Sequence, residues 1–517
     1  MGRPSPAEFA LRGRLRDGVG ACGLAPGGLG NSGSRGARGL RALRPRRRRR
    51  SPRGAPSAGR LAEDRGHGTG LPDGGGPRTG ALRLGAGAAR VRIAVVGGGI
   101  AGLSAGWLLG RDHEVVLYEA HARPGLEAHG VEVDGRAADV PLRVFYEGYY
   151  PQLMSLYRAA GVRWVRADYS TTLCGPDGEA YYRYRNRRPG PGALWSFVSP
   201  RAWRGRGRRI TRGLLRYYRL APRDALDRAH AHETLGEYLE RRGYSEEFTK
   251  WFLLPAFAGV GTCSYERVRA YPAQVLNDYM RRGFFLSGVL TARDGSGDVA
   301  RRLRSRLAAL RCDAPVASLR RTALGVEVRT RAGSTEVFDH AVVATQANQA
   351  LRLLADPSEE ERAVLSSFRY EASDVVMHRD PAVMPRRRAD WAPVDFVVDP
   401  SRPRPMATIW TNAVHPNLRG LPDLFQTWNP IVEPDPARVL SRVTLERPSV
   451  TPDSLASLER LRALHRDPKR RLWFCGSYAA PGIPLLESGV RSSLSVAEAL
   501  GVSAPWRPPT PAARGAP

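Results

Sequence analysis

Residues 91–120 read VRIAVVGGGIAGLSAGWLLGRDHEVVLYEA, and this stretch decides the fold. It holds a β-branched run at 93–96, three glycines in the spacing GxGxxG, an apolar helical run, and a second β-rich run that ends at Glu119. This order predicts a strand, a glycine turn, a helix and a second strand. Such a unit forms the phosphate-binding end of a dinucleotide site in an α/β protein.

Each glycine of the motif has its own physical task. Gly97 permits the tight turn, Gly99 lets the backbone approach a pyrophosphate, and Gly102 lets the helix pack closely on the strand. The phosphates then meet the free N–H groups at the helix start. Glu119 ends the second strand, where a carboxylate accepts hydrogen bonds from a ribose hydroxyl. The stretch therefore predicts a dinucleotide site.

The alternative for the same stretch is a membrane span, because no charged residue falls between Arg92 and Arg111 and a spanning helix needs about 20 apolar residues. Six glycines in this short segment argue against it, and we expect no transmembrane segment. The five scattered cysteines have no CxxC spacing, so neither a metal site nor a disulfide framework is expected. We therefore expect a cytoplasmic protein, with peripheral membrane contact left open.

Nearly half of the net charge of +30 lies in residues 1–90. Residues 1–90 hold 19 arginines against five acidic residues and show no apolar periodicity, so we expect them to be disordered. Three interpretations remain open for them: an organelle transit peptide, an arm that binds RNA or anionic membranes, or upstream sequence translated from an early start codon. All but two of the 80 basic residues are arginine, which weakens the nucleic-acid interpretation.

The segment after Glu119 carries a more specific signal. It continues through Arg123-Pro124-Gly125 and a VDG hairpin to YPQLMSLYRAAGV at 150–162. This succession resembles the flavin amine oxidase superfamily. It is most similar to the predicted NAD/FAD-binding branch, which also forms the N-terminal oxidase-like half of plant cyclopropane fatty acid synthases. The chain departs from that branch at Leu126-Glu127, in place of Gly-His, and at Asp139–Leu142, in place of DTGF.

Two further stretches resemble the same branch. Residues 234–262 read TLGEYLERRGYSEEFTKWFLLPAFAGVGT, beginning with an amphipathic helix that we expect to stop at Gly243. Residues 368–385 read FRYEASDVVMHRDPAVMP. His378 with Asp380 forms a candidate acid/base pair, although such a pair more often ends a sheet strand. Lys250 is expected to pair with glutamates on a helix face, in preference to a catalytic role.

The C-terminal stretch RRLWFCGSYAAPGIPLLESGVRSSLSVAEALG, residues 470–501, carries the strongest second signal. The resemblance implies a strand, a turn at Gly476, and a helix whose start lies under the flavin. The positive end of that helix would stabilise negative charge on reduced flavin. Leu486 and Ser493 stand where the branch has His and Gly, so the flavin environment is expected to differ.

The cofactor residues implied by motif and resemblance extend over three segments. Val316 matches the position whose backbone holds the adenine ring, with a plain core valine as the alternative. The full set of expected cofactor-binding residues is Gly97, Gly99, Ile100, Ala101, Gly102, Glu119, Ala120, Arg123, Val316, Gly476, Ser488, Gly489 and Val490.

The expected fold class is α/β, with a discontinuous Rossmann-type FAD-binding domain and a substrate domain of mixed antiparallel sheet and helices. The cofactor domain takes residues 91–150, 291–350 and 461–501, and the substrate domain takes 151–290 and 351–460. Residues 1–90 and 502–517 are expected to be disordered. Ligand would then lie between the domains, at the carboxyl ends of the parallel strands.

The resemblance implies an FAD-dependent oxidoreductase that removes a hydride from an apolar small-molecule substrate, with a lipid acyl chain favoured. Amine oxidase, protoporphyrinogen oxidase-like and carotenoid desaturase-like activities stay open. So do a flavin-binding protein with weakened catalysis and an RNA-binding protein that uses the arginine-rich tail. Nucleic acid is not the expected partner, and the oligomeric state is left open.

Overall fold

We describe the protein from a computed structural model. The structure describes residues 90–186, 200–227, 229–230, 232–284 and 287–507. The disorder expected for residues 1–89 and 508–517 concerns parts of the chain outside the described residues.

Nineteen strands occur in the described residues. They are β1 Arg92–Val96, β2 Glu114–Tyr118, β3 Val131–Val133, β4 Arg136–Ala138, β5 Trp164–Arg166, β6 Thr171–Cys174, β7 Ala180–Tyr184, β8 Leu290–Ala292, β9 Ala309–Arg311, β10 Val316–Thr322, β11 Gly325–Thr330, β12 Thr335–Phe338, β13 His340–Val343, β14 Tyr370–His378, β15 Val394–Val397, β16 Met406–Trp410, β17 Phe425–Trp428, β18 Val439–Pro448 and β19 Leu472–Phe474.

Fourteen α-helices occur in the described residues. They are α1 Ile100–Leu109, α2 Pro151–Ala159, α3 Gly205–Asp224, α4 Leu235–Arg241, α5 Glu246–Phe248, α6 Leu254–Gly261, α7 Tyr265–Ala270, α8 Ala273–Arg281, α9 Gly295–Leu303, α10 Ala347–Leu353, α11 Glu359–Ser366, α12 Thr411–Val414, α13 Pro452–Leu464 and α14 Leu486–Ala499. Helices α3 to α8 follow one another without an intervening strand. A π-helical turn, Thr249–Leu253, joins α5 to α6.

A five-stranded parallel sheet carries the glycine motif. Its order is β19-β13-β1-β2-β9, and every neighbouring pair is parallel. Because both faces of β1 are covered, its apolar residues 93–96 are continuous and buried. Helices α1 and α14 pack on one face, and the antiparallel sheet β10-β11-β12 packs on the other. This architecture confirms the predicted α/β class.

The second large sheet of the described residues is mixed and has seven strands. Its order is β18-β14-β17-β16-β15-β6-β7, in which only the β15–β6 pair is parallel. Two of its strands, β6 and β7, lie in the segment 151–290, whereas β14 to β18 lie in the segment 351–460. Strands β6 and β15 are far apart in the chain, so local periodicity does not reveal their pairing.

Residues 502–507 differ from the expected disordered end. The Trp506 ring lies over Trp107 of α1 with 6.3 Å between the ring centroids, and its indole N–H donates to Gln152 Oε1 at 3.0 Å. Val502 and Ala504 are buried. The proline-rich composition led to the expectation of disorder, but these apolar side chains find a surface on α1 that only the folded chain provides.

In the part of the chain that the structure describes, none of the helices has the length and apolarity that crossing a membrane requires.

Candidate active site

The glycine turn is shaped by close backbone contacts. Gly97 has a φ of +105°, and its N–H donates to Tyr118 O at 2.8 Å, which joins the turn to the end of β2. A Cβ atom on Gly102 would lie 1.8 Å from Gly97 O, so only glycine lets α1 start this close to the turn. Both glycines are therefore required by the backbone path itself.

Gly99 is different, because it faces open space. A Cβ atom built on Gly99 would meet no described atom within 4 Å beyond the local backbone. Gly99 is also the N-cap residue of α1, and none of the described side chains caps this helix. The backbone N–H groups of the first turn, including those of Ile100 and Ala101, therefore remain available to an anion.

Glu119 is fixed at the edge of this open space. Its buried carboxylate accepts hydrogen bonds from the N–H groups of Gly98 at 2.8 Å and Gly125 at 3.0 Å through Oε2. Its Oε1 accepts the His121 N–H at 3.0 Å and lies 2.8 Å from His121 Nδ1. The carboxylate thus holds the loop after β2 against the glycine turn.

The predicted adenine side lies next to Glu119. Ala314 N–H donates to Glu119 O at 2.9 Å, which brings the start of β10 and its first residue, Val316, beside the end of β2. Ala120 is exposed. Arg123 donates to Gly130 O at 2.7 Å, so its guanidinium closes a local loop.

The second helix start, that of α14, packs directly on α1. A Cβ atom on Gly489 would lie 2.9 Å from Ile100 Cγ2, and Ser493 Oγ donates to Ala101 O at 2.7 Å. Val490 is fully buried, and Ser488 Oγ donates to Ile483 O at 2.8 Å. The structure therefore brings the two predicted cofactor segments together, although almost 400 residues separate Ala101 from Ser493.

Gly476 and Glu487 attach α14 to its surroundings. The Gly476 N–H donates to Ser492 Oγ at 3.0 Å. The Glu487 carboxylate accepts the N–H groups of Gln152 at 3.1 Å and Leu153 at 2.9 Å, and so caps the start of α2. Burial raises the pKa of Glu487.

A cavity of about 380 Å³ opens beside both helix starts. It extends from Ile100 and the segment 484–486 to the seven-stranded sheet. Aromatic rings dominate its walls: Tyr146, Tyr150, Tyr169, Tyr184, Phe252, Tyr279, Phe284, Phe396 and Trp428. Among the described residues that line it, the charged ones are Arg143, Glu446 and Arg447, and none is a lysine or histidine.

The tyrosines of the cavity stay protonated near neutral pH. Burial raises the pKa of Tyr146, Tyr150 and Tyr279 above the ordinary value. Tyr149 lies behind them with its ring centroid 4.6 Å from that of Tyr279, and its hydroxyl accepts the Ile483 N–H at 2.8 Å. The aromatic rings therefore give the cavity an apolar wall, and the tyrosine hydroxyl groups in it carry no charge.

The candidate acid/base pair lies elsewhere in the sheet. His378 is fully buried, its Nε2 is 2.8 Å from Thr427 Oγ1, and its Nδ1 accepts the Asp380 N–H at 3.1 Å. The Asp380 carboxylate accepts the N–H groups of Ala382 and Asp435. Neither residue lines the cavity, and this placement favours the structural role for the pair.

Lys250 is placed on the surface. Its Nζ lies 2.7 Å from Glu246 Oε1, one helical turn away, and the side chain is 49% exposed. It faces a different depression from the aromatic cavity. Lys250 therefore pairs with a glutamate on the helix face, as expected from the sequence.

The residues that depart from the expected sequence pattern lie around the glycine turn and the cavity. Leu126 is buried, and its N–H donates to Gly98 O at 3.2 Å. Pro141 and Leu142 line the cavity, and Leu142 N–H donates to Gln426 Oε1 at 3.0 Å. The residues that differ from the branch thus change the side chains around the cavity. The backbone around the glycine turn keeps the hydrogen bond between Leu126 and Gly98.

The residues present fit a dinucleotide cofactor. The open space at Gly99, the uncapped start of α1 and the fixed carboxylate of Glu119 supply the three features that a pyrophosphate and a ribose need. A family model for flavin-containing amine oxidoreductases matches residues 100–501.

The chain belongs to the flavin-containing amine oxidoreductase family. As a member of this family it is an FAD-dependent oxidoreductase, which confirms the cofactor and the enzyme class predicted from the sequence. No curated protein matches the chain significantly.

Solved structures of this fold cover most of the chain. A CLA-producing fatty acid isomerase from P. acnes has a TM-score of 0.57 and 14% identity, over 78% of this chain and 97% of its own. A putrescine oxidase bound to putrescine has a TM-score of 0.54 and 14% identity, over 80% and 99%. A reduced UDP-galactopyranose mutase has a TM-score of 0.54 and 13% identity, over 80% and 94%. At these identities the likeness shows a shared fold.

Sequence reasoning did not single out the two arginines that line the cavity. Arg143 directly follows Asp139–Leu142, the segment that stands in place of DTGF, and Arg447 lies near the end of β18. Nothing in the local sequence separates these two from the many other arginines of the chain. The cluster of aromatic residues in FYEGYY, at 145–150, was a usable signal, because two of its tyrosines, Tyr146 and Tyr150, line the cavity.

Proposed function

We propose that the chain binds FAD across the starts of α1 and α14 and oxidises an apolar substrate held in the aromatic cavity. The observation that carries this proposal is the position of the cavity, whose lining includes Ile100 from one helix start and residues 485–486 from the other. A flavin ring at that point would be in contact with the cavity contents.

Each cofactor residue has a role in this proposal. The N–H groups after Gly99 bind the pyrophosphate, Glu119 binds the adenosine ribose, and the backbone at Val316 borders the adenine. At Ser488 and Gly489 the first turn of α14 presents partial positive charge to the flavin. When bound, FAD supplies the hydride acceptor.

The proposed substrate carries a long apolar portion, with an acyl chain as the favoured form. The aromatic walls support an apolar body. Similarity of residues 150–162, 234–262 and 470–501 to the oxidase-like half of plant cyclopropane fatty acid synthases supports the same class. Two arginines against one glutamate make the lining unsuited to a cationic amine.

A visible absorption spectrum of the purified full-length protein tests the proposal. We expect flavin bands at close to one FAD per chain, and bleaching of the bands when an acyl substrate is added without oxygen. Octylamine serves as the matched amine and should leave the bands unchanged. A folded, colourless protein that FAD does not stabilise against heat would contradict the proposal. Bleaching by octylamine alone would show that the substrate is an amine and not an acyl compound.

A further inference from the structure

Two arginines face the cavity without a carboxylate partner. Arg143 Nη1 donates to Pro141 O at 3.0 Å and to Ser296 Oγ at 3.2 Å, and Arg447 Nη1 donates to Val260 O at 2.9 Å. In the described residues neither arginine forms an ion pair. In the described residues, the acceptors that hold both side chains in place are thus neutral, and Asp139 is linked to Arg143 only through the Ser296 hydroxyl.

The surroundings of the two guanidinium groups make this arrangement costly. Desolvation lowers the pKa of Arg143, the Asp139 carboxylate opposes the decrease, and repulsion from Arg447 adds to it. Desolvation also lowers the pKa of Arg447. Both arginines line the same cavity, together with its aromatic rings.

The nearby carboxylates are engaged elsewhere. Asp139 accepts the Ser296 N–H at 3.0 Å and the Ser296 hydroxyl at 2.8 Å. Glu446 lines the same cavity, but its carboxylate accepts from Asn348 Nδ2 at 3.4 Å. An anion from outside the chain would satisfy the free N–H groups that the protein leaves open.

We propose that Arg447 and Arg143 bind the carboxylate of the substrate, so that the substrate is a carboxylic acid with an apolar body. This inference rests on the proposed function and names the polar end of its substrate. The aromatic walls hold the apolar body while the guanidinium groups fix the acid end, which sets the distance between the carboxylate and the reacting carbon. The arginines act as specificity-determining residues in this arrangement.

Ligand titration of the flavin-containing full-length protein tests the inference. Octanoate, 1-octanol and octylamine share one chain length and differ in their polar group, and changes in the flavin spectrum report their binding. We expect octanoate to bind about tenfold or more tightly than 1-octanol, because charge-assisted hydrogen bonds add to the shared apolar contact. Octylamine should bind more weakly than either.

Three arginine variants test whether the two cavity arginines bind the carboxylate. Arg447→Met and Arg143→Met keep an unbranched apolar stem but remove the guanidinium group, and we expect each to reduce octanoate binding while 1-octanol binding stays the same. Arg183→Met is the matched control, because Arg183 also donates to backbone carbonyls, of Ala389 and Trp391, and does not line the cavity. This control should keep the full preference for octanoate.

Two results would overturn the inference while the proposed function stands. One is equal binding of octanoate and 1-octanol by wild-type protein that carries its flavin. The other is loss of FAD from Arg447→Met and Arg143→Met with an unchanged preference for octanoate, which would assign the arginines to the cofactor. A protein that binds no flavin would contradict the proposed function instead. A thermal-shift titration of that protein with the same three ligands would still measure the preference for octanoate.

Discussion

At the scale of single residues, glycines of one motif do different work. Gly97 and Gly102 are required by the fold, since a side chain there would meet backbone atoms, whereas Gly99 borders open space. The sequence predicted all three, because the spacing GxGxxG is a local pattern with a local cause. It could not predict Arg143 and Arg447, because their shared cavity depends on contacts between distant segments.

Gly99→Val tests the open side of the turn. Its φ of −70° suits any residue, and its Cβ atom has room, so the apoprotein should lose at most about 1 kcal/mol of stability at this N-cap position. The side chain would occupy the space proposed for the pyrophosphate, and we expect FAD affinity to fall by about tenfold or more. Fluorescence titration of apoprotein measures this, and unchanged affinity would place the phosphates elsewhere.

His378 predicts a pH dependence of stability. Burial lowers the pKa of His378 to about 4, whereas an unfolded histidine titrates near about 6.5. The unfolded chain therefore takes up this proton first as the pH falls, and stability that is present above about pH 6.5 is lost down to about pH 4. We expect the loss between pH 7 and pH 5 to be about 2 kcal/mol larger in wild-type protein than in His378→Asn.

Urea unfolding at the two pH values measures the difference. The comparison isolates His378, because the variant retains the other buried histidines, including His465, whose pKa burial lowers to about 3. Equal losses in the two proteins would show that His378 is not held neutral by its surroundings.

At the scale of elements, α14 contacts both α1, which follows the glycine turn, and α2. Its Gly489 and Ser493 contact α1, and its Glu487 caps α2. Helix starts were predictable where the signal is local: α4 begins after Thr234, which forms a capping box with Glu237, and Gly243 follows its end with a φ of +60°. The contact between α14 and α2 was not, because the partners are over 300 residues apart.

Glu487→Ala tests the link between α14 and α2. The change leaves the buried N–H group of Leu153 and the partly buried N–H group of Gln152 without an acceptor, and the loss at Leu153 alone costs about 1–3 kcal/mol. Glu487→Gln keeps one acceptor oxygen and should lose less. As control, Glu498→Gln near the other end of α14 removes only the exposed pair with Arg507 and should change stability by about 0.5 kcal/mol or less. Equal stability of all three variants would contradict the capping role.

Trp506→Ala tests the packing of residues 502–507. The ring covers Trp107 on α1 and its indole N–H donates to Gln152, so its loss should lower the free energy of unfolding by about 1–2 kcal/mol. The same change in Trp203, whose ring is 53% exposed, is the control and should have little effect. A loss in Trp203→Ala as large as that in Trp506→Ala would remove the argument for a packed C-terminal segment.

At the scale of the whole molecule, the mixed sheet lines the cavity together with Ile100, Gln346 and Ser477, which follow strands of the parallel sheet. The α/β class and the FAD cofactor followed from two motifs near the ends of the described chain, because both motifs build their structure locally. The parallel β6–β15 pair and the shape of the cavity depend on which distant strands become neighbours, and single-sequence periodicity does not contain that information. The predicted domain boundaries remain predictions.

A crystal structure of the full-length protein with FAD bound tests the central claim most directly. The account predicts the pyrophosphate at the N–H groups that follow Gly99, the ribose at Glu119, and the flavin ring between Ile100 and Leu486 with one face toward the aromatic cavity. A flavin ring outside that cavity, or a pyrophosphate away from the start of α1, would contradict the account.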